Sequence, residues 1–291
     1  MTDRAQPFAD AAYQGTPGAF SEDAARGMLG VEAALLPCPT LEDVFAAVAG
    51  GRARRAVVPV ENTLAGAVPG CDDLVGRHDV RIVAERVQHI AHALIGRPGS
   101  ALSAVRRVLS HPVALAQCRR FFAEHGEMTP VPAFDTAGAV AEIMSRGGVD
   151  SAAIAGRRAA EVYGGVVLAD DIQDQADNFT RFLMLESGVW RDAFVSDRKT
   201  SLVCVLANAP GALARALMAF ADRSLNVSRL ESRPIRESPF EYRFYLDVDP
   251  TPDAAALTDA VASLRACSRV LRVLGHYPPA VGVGSGLQKL R

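Results

Sequence analysis

The chain has 291 residues, enough for one large domain or two ordinary ones, and its 49% hydrophobic and 22% charged residues are a globular composition. With 31 basic and 33 acidic residues the net charge is −2, which gives no electrostatic reason to bind nucleic acid or an anionic membrane. The five cysteines are an odd number without a Cys-x-x-Cys pair, which argues against a disulfide framework and a structural zinc site. No secretory signal or membrane-spanning run is visible, and we expect a cytoplasmic protein.

The first two thirds of the chain alternate short apolar strands with helical segments. Strands are predicted at 11–14, 55–60, 80–95, 105–109, 152–155 and 182–186, and helices at 21–29, 41–49, 112–125, 136–146 and 157–163. Thr40 to Asp43 resembles a capping box, and Asp135 is predicted to cap the helix that follows it. This alternation is typical of α/β layers with a mostly parallel sheet.

The pattern changes after a polar stretch at 191–198. Strands are predicted at 201–207, 227–234, 242–248 and 270–277, and helices at 211–223 and 253–267. The resulting βαββαβ order is that of a small ferredoxin-like domain. The glycines after Pro278 have no flanking strand and helix, so we predict a flexible end there and not a phosphate-binding loop.

Most standard catalytic signatures are absent from the sequence. It contains no Gly-x-Ser-x-Gly elbow, no Gly-Lys-Ser/Thr phosphate loop and no His-Glu-x-x-His motif. His89 and His92 are three residues apart in a predicted strand, so they face opposite sides and make a poor metal pair. We interpret both as partly buried strand residues.

Small polar residues follow or precede several predicted elements. Glu61 to Thr63 follow one apolar strand, Ser110 and His111 follow another, and Asp177 to Arg181 lead into a third. In open α/β sheets, ligands gather outside the carboxyl ends of strands, where helix N-termini offer N–H groups to anions. Each of these groups alone could be a cap or a turn, but their joint occurrence favours a site for a small dicarboxylate.

Taken together, the motifs resemble those of prephenate dehydratases with a C-terminal ACT regulatory domain. The matching motifs, in the family's order, are Tyr13–Ser21, Pro59–Thr63, Ser110–Pro112 with Gln117, Asp135–Ala137, Asp177–Phe182, Asn208–Leu213 and Glu231–Pro234. The resemblance implies an α/β catalytic region at 1–190 with two lobes, like a type II periplasmic binding protein, and a cleft between them. It further implies an ACT domain at 199–278, before a tail at 279–291, and conversion of prephenate to phenylpyruvate, CO2 and water without a metal or other cofactor.

The same resemblance assigns roles to residues of this chain. Thr180 aligns with the family's catalytic threonine and is expected to donate a hydrogen bond or proton to the leaving hydroxyl. The further catalytic candidates are Glu61, Asn62, Ser110 and Gln117, and the candidates for substrate binding are Arg181, Thr63, Ser21, His111 and Phe182.

Several of these roles stay open at the level of sequence. Arg181 could pair with a substrate carboxylate or serve as a structural ion-pair partner. Glu61 would repel a dianionic substrate unless it is paired, so we expect a partner for it. Gln117 faces the cleft only if its helix tilts inward. His111 is expected to neighbour the site without donating the proton, and Phe182 is expected mainly to pack.

In the ACT segment the resemblance implies a feedback site for L-phenylalanine at an interface between subunits. The residues it implicates are Asn208, Gly211, Ala212 and Leu213, with Glu231, Ser232 and Arg233 completing the pocket from a neighbouring subunit. Family members are typically dimers or tetramers, so we expect a homodimer or a homotetramer.

Two alternative functions are retained. Ala19 stands where many bacterial family members have threonine, and this variant also resembles plant-type arogenate dehydratases, which act on the amino-acid analogue of prephenate. A non-catalytic amino-acid sensor would share the two-lobed architecture, because fold alone does not decide function. The Asn178–Phe182 motif favours an enzyme over a sensor, and we expect its substrate to be prephenate.

Overall fold

The computed structural model describes residues 8–235, 238 and 240–280. Its strands are β1 (Ala9–Gln14), β2 (Leu35–Cys38), β3 (Ala53–Asn62), β4 (Gly66–Ala67), β5 (Val80–His89), β6 (Ala93–Gly96), β7 (Arg107–Ser110), β8 (Thr129–Pro132), β9 (Ser151–Ala155), β10 (Val166–Ala169), β11 (Phe179–Ser187), β12 (Lys199–Leu206), β13 (Val227–Pro234), β14 (Tyr242–Val248) and β15 (Ser268–Tyr277). Its helices are α1 (Phe20–Leu29), α2 (Leu41–Ala49), α3 (Cys71–Arg77), α4 (Pro112–Ala116), α5 (Arg119–Glu124), α6 (Thr136–Arg146), α7 (Arg157–Tyr163), α8 (Ala212–Ala221) and α9 (Ala254–Cys267). The predicted flexible tail lies outside the described residues from residue 281 onward.

The chain divides into two compact units. The first contains the chain through Val68 together with Val87–Phe182, and the second contains Pro69–Arg86 together with the chain from Leu183 onward. The segment Pro69–Arg86 falls within the predicted catalytic region and groups with the C-terminal strands. Among the described helices, none is both long enough and apolar enough to cross a membrane.

One sheet of the first unit is built from the beginning of the chain. Strand β1 lies between β2 and β3 and is parallel to both, and β4 pairs antiparallel with the end of β3. The predicted capping box is confirmed at the start of α2: the Thr40 hydroxyl accepts the Asp43 N–H, and the Asp43 carboxylate accepts the Thr40 N–H. Strand β2 was not predicted, because its four residues contain a proline and little alternation.

The second sheet of this unit has the order β10-β6-β9-β7-β8. Strand β7 is parallel to β8 and β9, whereas β6 is antiparallel to β9 and β10. The predicted strand 80–95 is in fact interrupted after β5, and β6 belongs to this second sheet. The predicted helix 112–125 is likewise two helices, because the Gln117 carbonyl accepts the Asp174 N–H at 2.6 Å and so leaves the helical hydrogen-bond ladder.

In the second unit, β12 to β15 and the helices α8 and α9 form the predicted βαββαβ domain. Its strands are antiparallel in the order β13-β14-β12-β15, and β5 adds to β15 in parallel at Ile82 and Gly275. Its core is apolar and includes Leu202, Phe220 and Leu246, all almost fully buried. The expected fold class, an α/β region followed by a ferredoxin-like βαββαβ domain, is confirmed.

Candidate active site

Asn62, the last residue of β3, is the centre of a hydrogen-bonded cluster in the first unit. Its Oδ1 accepts the backbone N–H groups of Leu64 at 3.0 Å and Ala65 at 2.8 Å. Because a backbone N–H can only donate, these two bonds identify which end of the side-chain amide is the oxygen. Its Nδ2 is therefore the donor, and it lies 3.0 Å from the hydroxyl oxygen of Thr180.

The Thr180 hydroxyl accepts this bond and keeps its own hydrogen for another acceptor. Within the described part of the chain, no residue accepts a hydrogen bond from Thr180 Oγ1, and the side chain is nearly buried at the start of β11. Asn62 Nδ2 is also 2.7 Å from Asn178 Oδ1 and 3.1 Å from the Phe179 carbonyl oxygen. A hydroxyl held in this way can present its hydrogen to a departing oxygen.

The cluster continues from Asn178 to Gln117, between α4 and α5, and to His92, which directly precedes β6. Asn178 Nδ2 donates to Gln117 Oε1 at 3.2 Å, and that same oxygen is 2.9 Å from His92 Nε2. Asn178 and His92 are buried, whereas Gln117, which follows α4 directly, is partly exposed. Burial lowers the pKa of His92 more than the hydrogen bond with Gln117 raises it, so the ring is neutral.

Thr63 joins the two motifs through backbone groups. Its N–H donates to the Phe179 carbonyl at 2.9 Å, its hydroxyl donates to the Asp177 carbonyl at 3.0 Å, and the hydroxyl oxygen accepts the Phe179 N–H at 2.9 Å. A substrate-binding role was predicted for Thr63. In this structure its hydroxyl is occupied with holding the segment that carries Asn178 and Thr180.

Arg181 and Glu61 form an ion pair of 3.1 Å between Nη1 and Oε1. The expectation that Glu61 is paired is confirmed, with Arg181 as the partner, while the contact of Arg181 with a substrate carboxylate stays a prediction. Successive residues of a strand point to opposite faces, so this pair lies on the face opposite to that of Thr180 and Asn62. Arg181 therefore does not offer its charge on the side of the Thr180 hydroxyl.

Ser110 is placed differently from the sequence-based expectation. Its side chain has no exposed surface, and its hydroxyl donates to the Ile154 carbonyl at 2.6 Å, which links β7 to β9. A buried hydroxyl that satisfies a backbone carbonyl in this way has no surface left for a substrate. Ser110 thus supports the second sheet in this structure, and its catalytic contact stays a prediction.

Two further candidates have local structural roles. His111 accepts the Val113 N–H through Nδ1 at 3.2 Å and so caps α4. Phe182 is 2% exposed, as a residue that mainly packs should be. Neither side chain is part of the hydrogen-bonded cluster around Asn62.

The N-terminal motif places α1 closely against α7. Gly18 has φ +87°, and a Cβ there would lie 2.8 Å from the Cα of Ala159, so only glycine fits without a shift. Ser21 is partly exposed in the first turn of α1, and the ring of the preceding Phe20 meets His92 edge-on at 5.7 Å. Ser21 thus lies near the buried end of the cluster without a hydrogen bond to it.

Comparison with known proteins identifies the family. Residues 11–188 match the family "Prephenate dehydratase" and residues 200–266 match "ACT domain". The chain belongs to the prephenate dehydratase family. It is 39% identical over 281 residues to arogenate dehydratase/prephenate dehydratase 2 of Arabidopsis thaliana, covering 92% of this chain and 72% of the relative. It is 38% identical over 271 residues to a bifunctional N-acyl-homoserine lactone acylase/prephenate dehydratase of Komagataeibacter europaeus, covering 92% and 95%.

A solved member of this dehydratase family has the same fold. The crystal structure of a prephenate dehydratase from Arthrobacter aurescens in complex with L-Phe matches with a TM-score of 0.83 and 33% identity, over 92% of this chain and 90% of that one. The resemblance found in the sequence is thereby confirmed.

The ACT domain contains a separate pocket of about 420 Å³, open solvent included. It is lined by Leu206, Ala207, Asn208, Ala209, Ala212, Leu213, Phe240, Glu241, Tyr242 and Phe244. Of the predicted effector residues, three line this pocket, and Gly211 starts the adjoining α8 with φ +76°. The other three, Glu231, Ser232 and Arg233, lie on β13 and do not line it.

Two members of the cluster were not among the predicted site residues. Asn178 belongs to the Asn178–Phe182 motif but was assigned no role, although it links Asn62 to Gln117. His92 was interpreted as a plain strand histidine. An asparagine two residues before Thr180 is a signal that the sequence contains, whereas nothing in the sequence connects His92 to Gln117, 25 residues away.

Proposed function

We propose that the protein catalyses the decarboxylative dehydration of prephenate to phenylpyruvate. The observation that carries this proposal is the Thr180 hydroxyl, which accepts from Asn62 and has its own hydrogen available. In the reaction, the bond to the ring carboxylate breaks and its electrons enter the ring as CO2 leaves. The ring hydroxyl then departs and, with one proton, becomes water. Because the product ring is aromatic, the thermodynamic drive lies in the substrate.

The uncharged character of the cluster suits loss of CO2. Thr180, Asn62, Asn178 and Gln117 offer hydrogen bonds but no formal charge, and the charge of Arg181 is directed to Glu61 on the opposite face. A carboxylate facing neutral groups away from water is less stabilised than one paired with a cation, so its departure is easier. The hydrogen bond from Thr180, by contrast, strengthens as negative charge develops on the leaving oxygen.

A second candidate substrate is arogenate, which has an amino group in place of the keto group of prephenate. It is favoured by the relatives of this chain named arogenate dehydratases, for example one of Petunia hybrida at 38% identity, and by Ala19 in the N-terminal motif. The two candidates share the same loss of CO2 and water, and so the same use of Thr180.

Incubation of the purified protein with each compound separately tests the proposal. We expect phenylpyruvate from prephenate, detected by its absorbance and by mass spectrometry. If phenylalanine formed from arogenate and no phenylpyruvate formed from prephenate, the substrate would be arogenate and not prephenate. Conversion of neither compound would contradict a dehydratase function.

We propose in addition that L-phenylalanine binds the ACT pocket and inhibits the enzyme. The apolar floor around Leu213 and Phe244 suits a benzyl side chain, and the backbone before α8 suits the polar end of an amino acid. β13, which carries Glu231, Ser232 and Arg233, is the outermost strand of the ACT sheet. Among the described strands none pairs with its outer edge, which supports assembly of two or four copies, in which these residues complete the pocket of a neighbour.

A further inference from the structure

In the cluster, the donor and the acceptor of each hydrogen bond are determined by the bond before it. Leu64 and Ala65 can only donate, so Asn62 presents oxygen to them and nitrogen to Asn178. Asn178 then accepts through Oδ1 and donates through Nδ2 to Gln117 Oε1. Each amide is thereby oriented by the one before it, starting from two backbone groups.

This order of donors and acceptors determines the orientation of the Gln117 side-chain amide. Its oxygen faces Asn178 Nδ2 and His92 Nε2, so its amide nitrogen points away from both. In the described part of the chain, no residue accepts a hydrogen bond from Gln117 Nε2, and the side chain is partly exposed. Two N–H donors are therefore available to an acceptor outside the protein.

His92 must then carry its hydrogen on Nε2. If Nε2 were unprotonated, its lone pair would face the oxygen of Gln117 at 2.9 Å, which is repulsive. The opposite nitrogen, Nδ1, is buried and has no hydrogen-bond partner among the described residues. Placing the hydrogen on Nδ1 would bury an unsatisfied donor as well. The neutral tautomer with Nε2–H is the one that the surroundings favour.

We propose that His92 is a positioning residue, which holds the Gln117 amide so that its nitrogen is turned towards the substrate. The proposal rests on the proposed function, because it takes the acceptor of Gln117 Nε2 to be an oxygen of the substrate. His92 itself, with 2% of its surface exposed, does not touch the substrate. Its effect passes entirely through Gln117.

A double-mutant cycle separates this role from simple packing. His92→Leu removes the donor, His92→Gln keeps an N–H at nearly the position of Nε2, and Gln117→Ala removes the group acted upon. We expect His92→Leu to lower kcat/KM roughly tenfold, the loss of one hydrogen bond, and His92→Gln to restore most of it. In the Gln117→Ala background, His92→Leu should have no further effect on kcat/KM. Equal losses in both backgrounds, or equal losses for Leu and Gln at position 92, would overturn the proposal.

A spectroscopic measurement tests the same inference without turnover. The chain contains six histidines, so protein labelled with 15N-histidine gives a spectrum in which the His92 signals are those missing from His92→Gln. We expect a neutral ring with the hydrogen on Nε2. A hydrogen on Nδ1 would mean that the Gln117 amide is reversed, and it would overturn the proposal. If neither prephenate nor arogenate is converted, the proposed function fails, while this measurement still decides the state of His92.

Discussion

At the scale of single residues, the site depends on how one amide nitrogen is shared. Asn62 Nδ2 carries two hydrogens and faces three acceptors, on Asn178, Phe179 and Thr180. Removal of the Thr180 oxygen therefore leaves Asn62 with a partner for each hydrogen. This makes Thr180 a residue whose hydroxyl can be deleted without leaving an unsatisfied donor behind.

Replacement of Thr180 by valine, which has the same shape, should lower kcat by about 10²–10⁴-fold, because the hydrogen bond to the leaving oxygen is lost. Thr180→Ser keeps the hydroxyl and should retain most of the activity. Steady-state kinetics of both variants, with substrate binding followed by calorimetry, measure the difference. Unchanged turnover in Thr180→Val would remove the hydroxyl from the mechanism.

Two adjacent carboxylates of α1 show how burial and hydrogen bonding compete. Burial raises the pKa of Asp23 to about 6, although Arg158 is 3.3 Å away. For Glu22, burial alone would raise the pKa, but hydrogen bonds from the Gly18 N–H, Arg26 and Arg158 outweigh it and hold the pKa below its usual range. Ionised Glu22 is thus stabilised by the fold, whereas ionised Asp23 is destabilised by it.

The sign of the Asp23 effect on stability follows from this shift. A carboxyl whose pKa is higher in the folded than in the unfolded protein contributes stability at low pH, and loses it as the pH rises from about 4 to about 6. We expect Asp23→Asn to gain about 1 kcal/mol relative to the original protein between pH 4 and pH 7. Urea unfolding at both pH values measures the gain, and Asp222→Asn, on an exposed carboxylate, is the control. If the difference in unfolding free energy between Asp23→Asn and the original protein became smaller as the pH rises, the raised pKa of Asp23 would be contradicted.

At the scale of elements, an ion pair joins the helix α3 to the edge strand of the ACT sheet. Arg229 on β13 binds Asp72 on α3 through two hydrogen bonds, of 3.2 and 2.7 Å, and both side chains are largely buried. The hydroxyl of Tyr245 lies where a Cβ of Gly76 would be, so the helix needs glycine at that point. These contacts explain why Pro69–Arg86 groups with the C-terminal strands.

Loss of Arg229 should destabilise this unit strongly. Arg229→Met leaves the Asp72 carboxylate buried without its bidentate partner, which costs about 3 kcal/mol. Replacing both residues together, as Asp72→Leu with Arg229→Met, removes the uncompensated charge and should recover most of the loss. Arg265→Met on the exposed face of α9 is the matched control. Differential scanning calorimetry would detect the difference, and a single variant as stable as the control would refute the argument.

At the scale of the whole molecule, the proposed sites of catalysis and regulation belong to different units. The cluster around Asn62 and Thr180 lies in the first unit, and the ACT pocket lies in the second. Removing residues from 200 onward would also remove the strands that hold α3, so a truncation would disturb more than the effector site. Single substitutions in the pocket are the cleaner test of feedback.

L-Phenylalanine should raise the melting temperature of the full chain, because a ligand at 100 times its Kd stabilises a protein by about 2.7 kcal/mol. Asn208 lines the pocket, and Asn208→Ala should reduce this shift and raise the concentration needed for half-inhibition about tenfold. Asn226→Ala, on an exposed amide bonded to Asp249 in the same unit, is the control. If L-phenylalanine raised the melting temperature of Asn208→Ala as much as that of the original protein, its binding site would not be this pocket.

The sequence by itself determined the family and most strands and helices, and it singled out Thr180 as the candidate catalytic threonine. Local signals sufficed for these: the Thr40 cap, the Asp135 side chain that accepts the Gly138 N–H, and a βαββαβ order in which β13 and β14 have their predicted bounds. Short strands such as β8 and β10 were missed, because four residues with little alternation carry almost no periodic signal.

Only the tertiary structure decided what the polar side chains do. Glu61 and Arg181 are adjacent in sequence to Asn62 and Thr180, but they pair with each other on the opposite face of the strands. Ser110, which directly follows a predicted strand, is buried and bonded to Ile154. His92 and Gln117 became partners through the fold alone. The physical reason is that a hydrogen bond depends on the position and direction of two groups, and residues far apart in sequence acquire both only when the chain has folded.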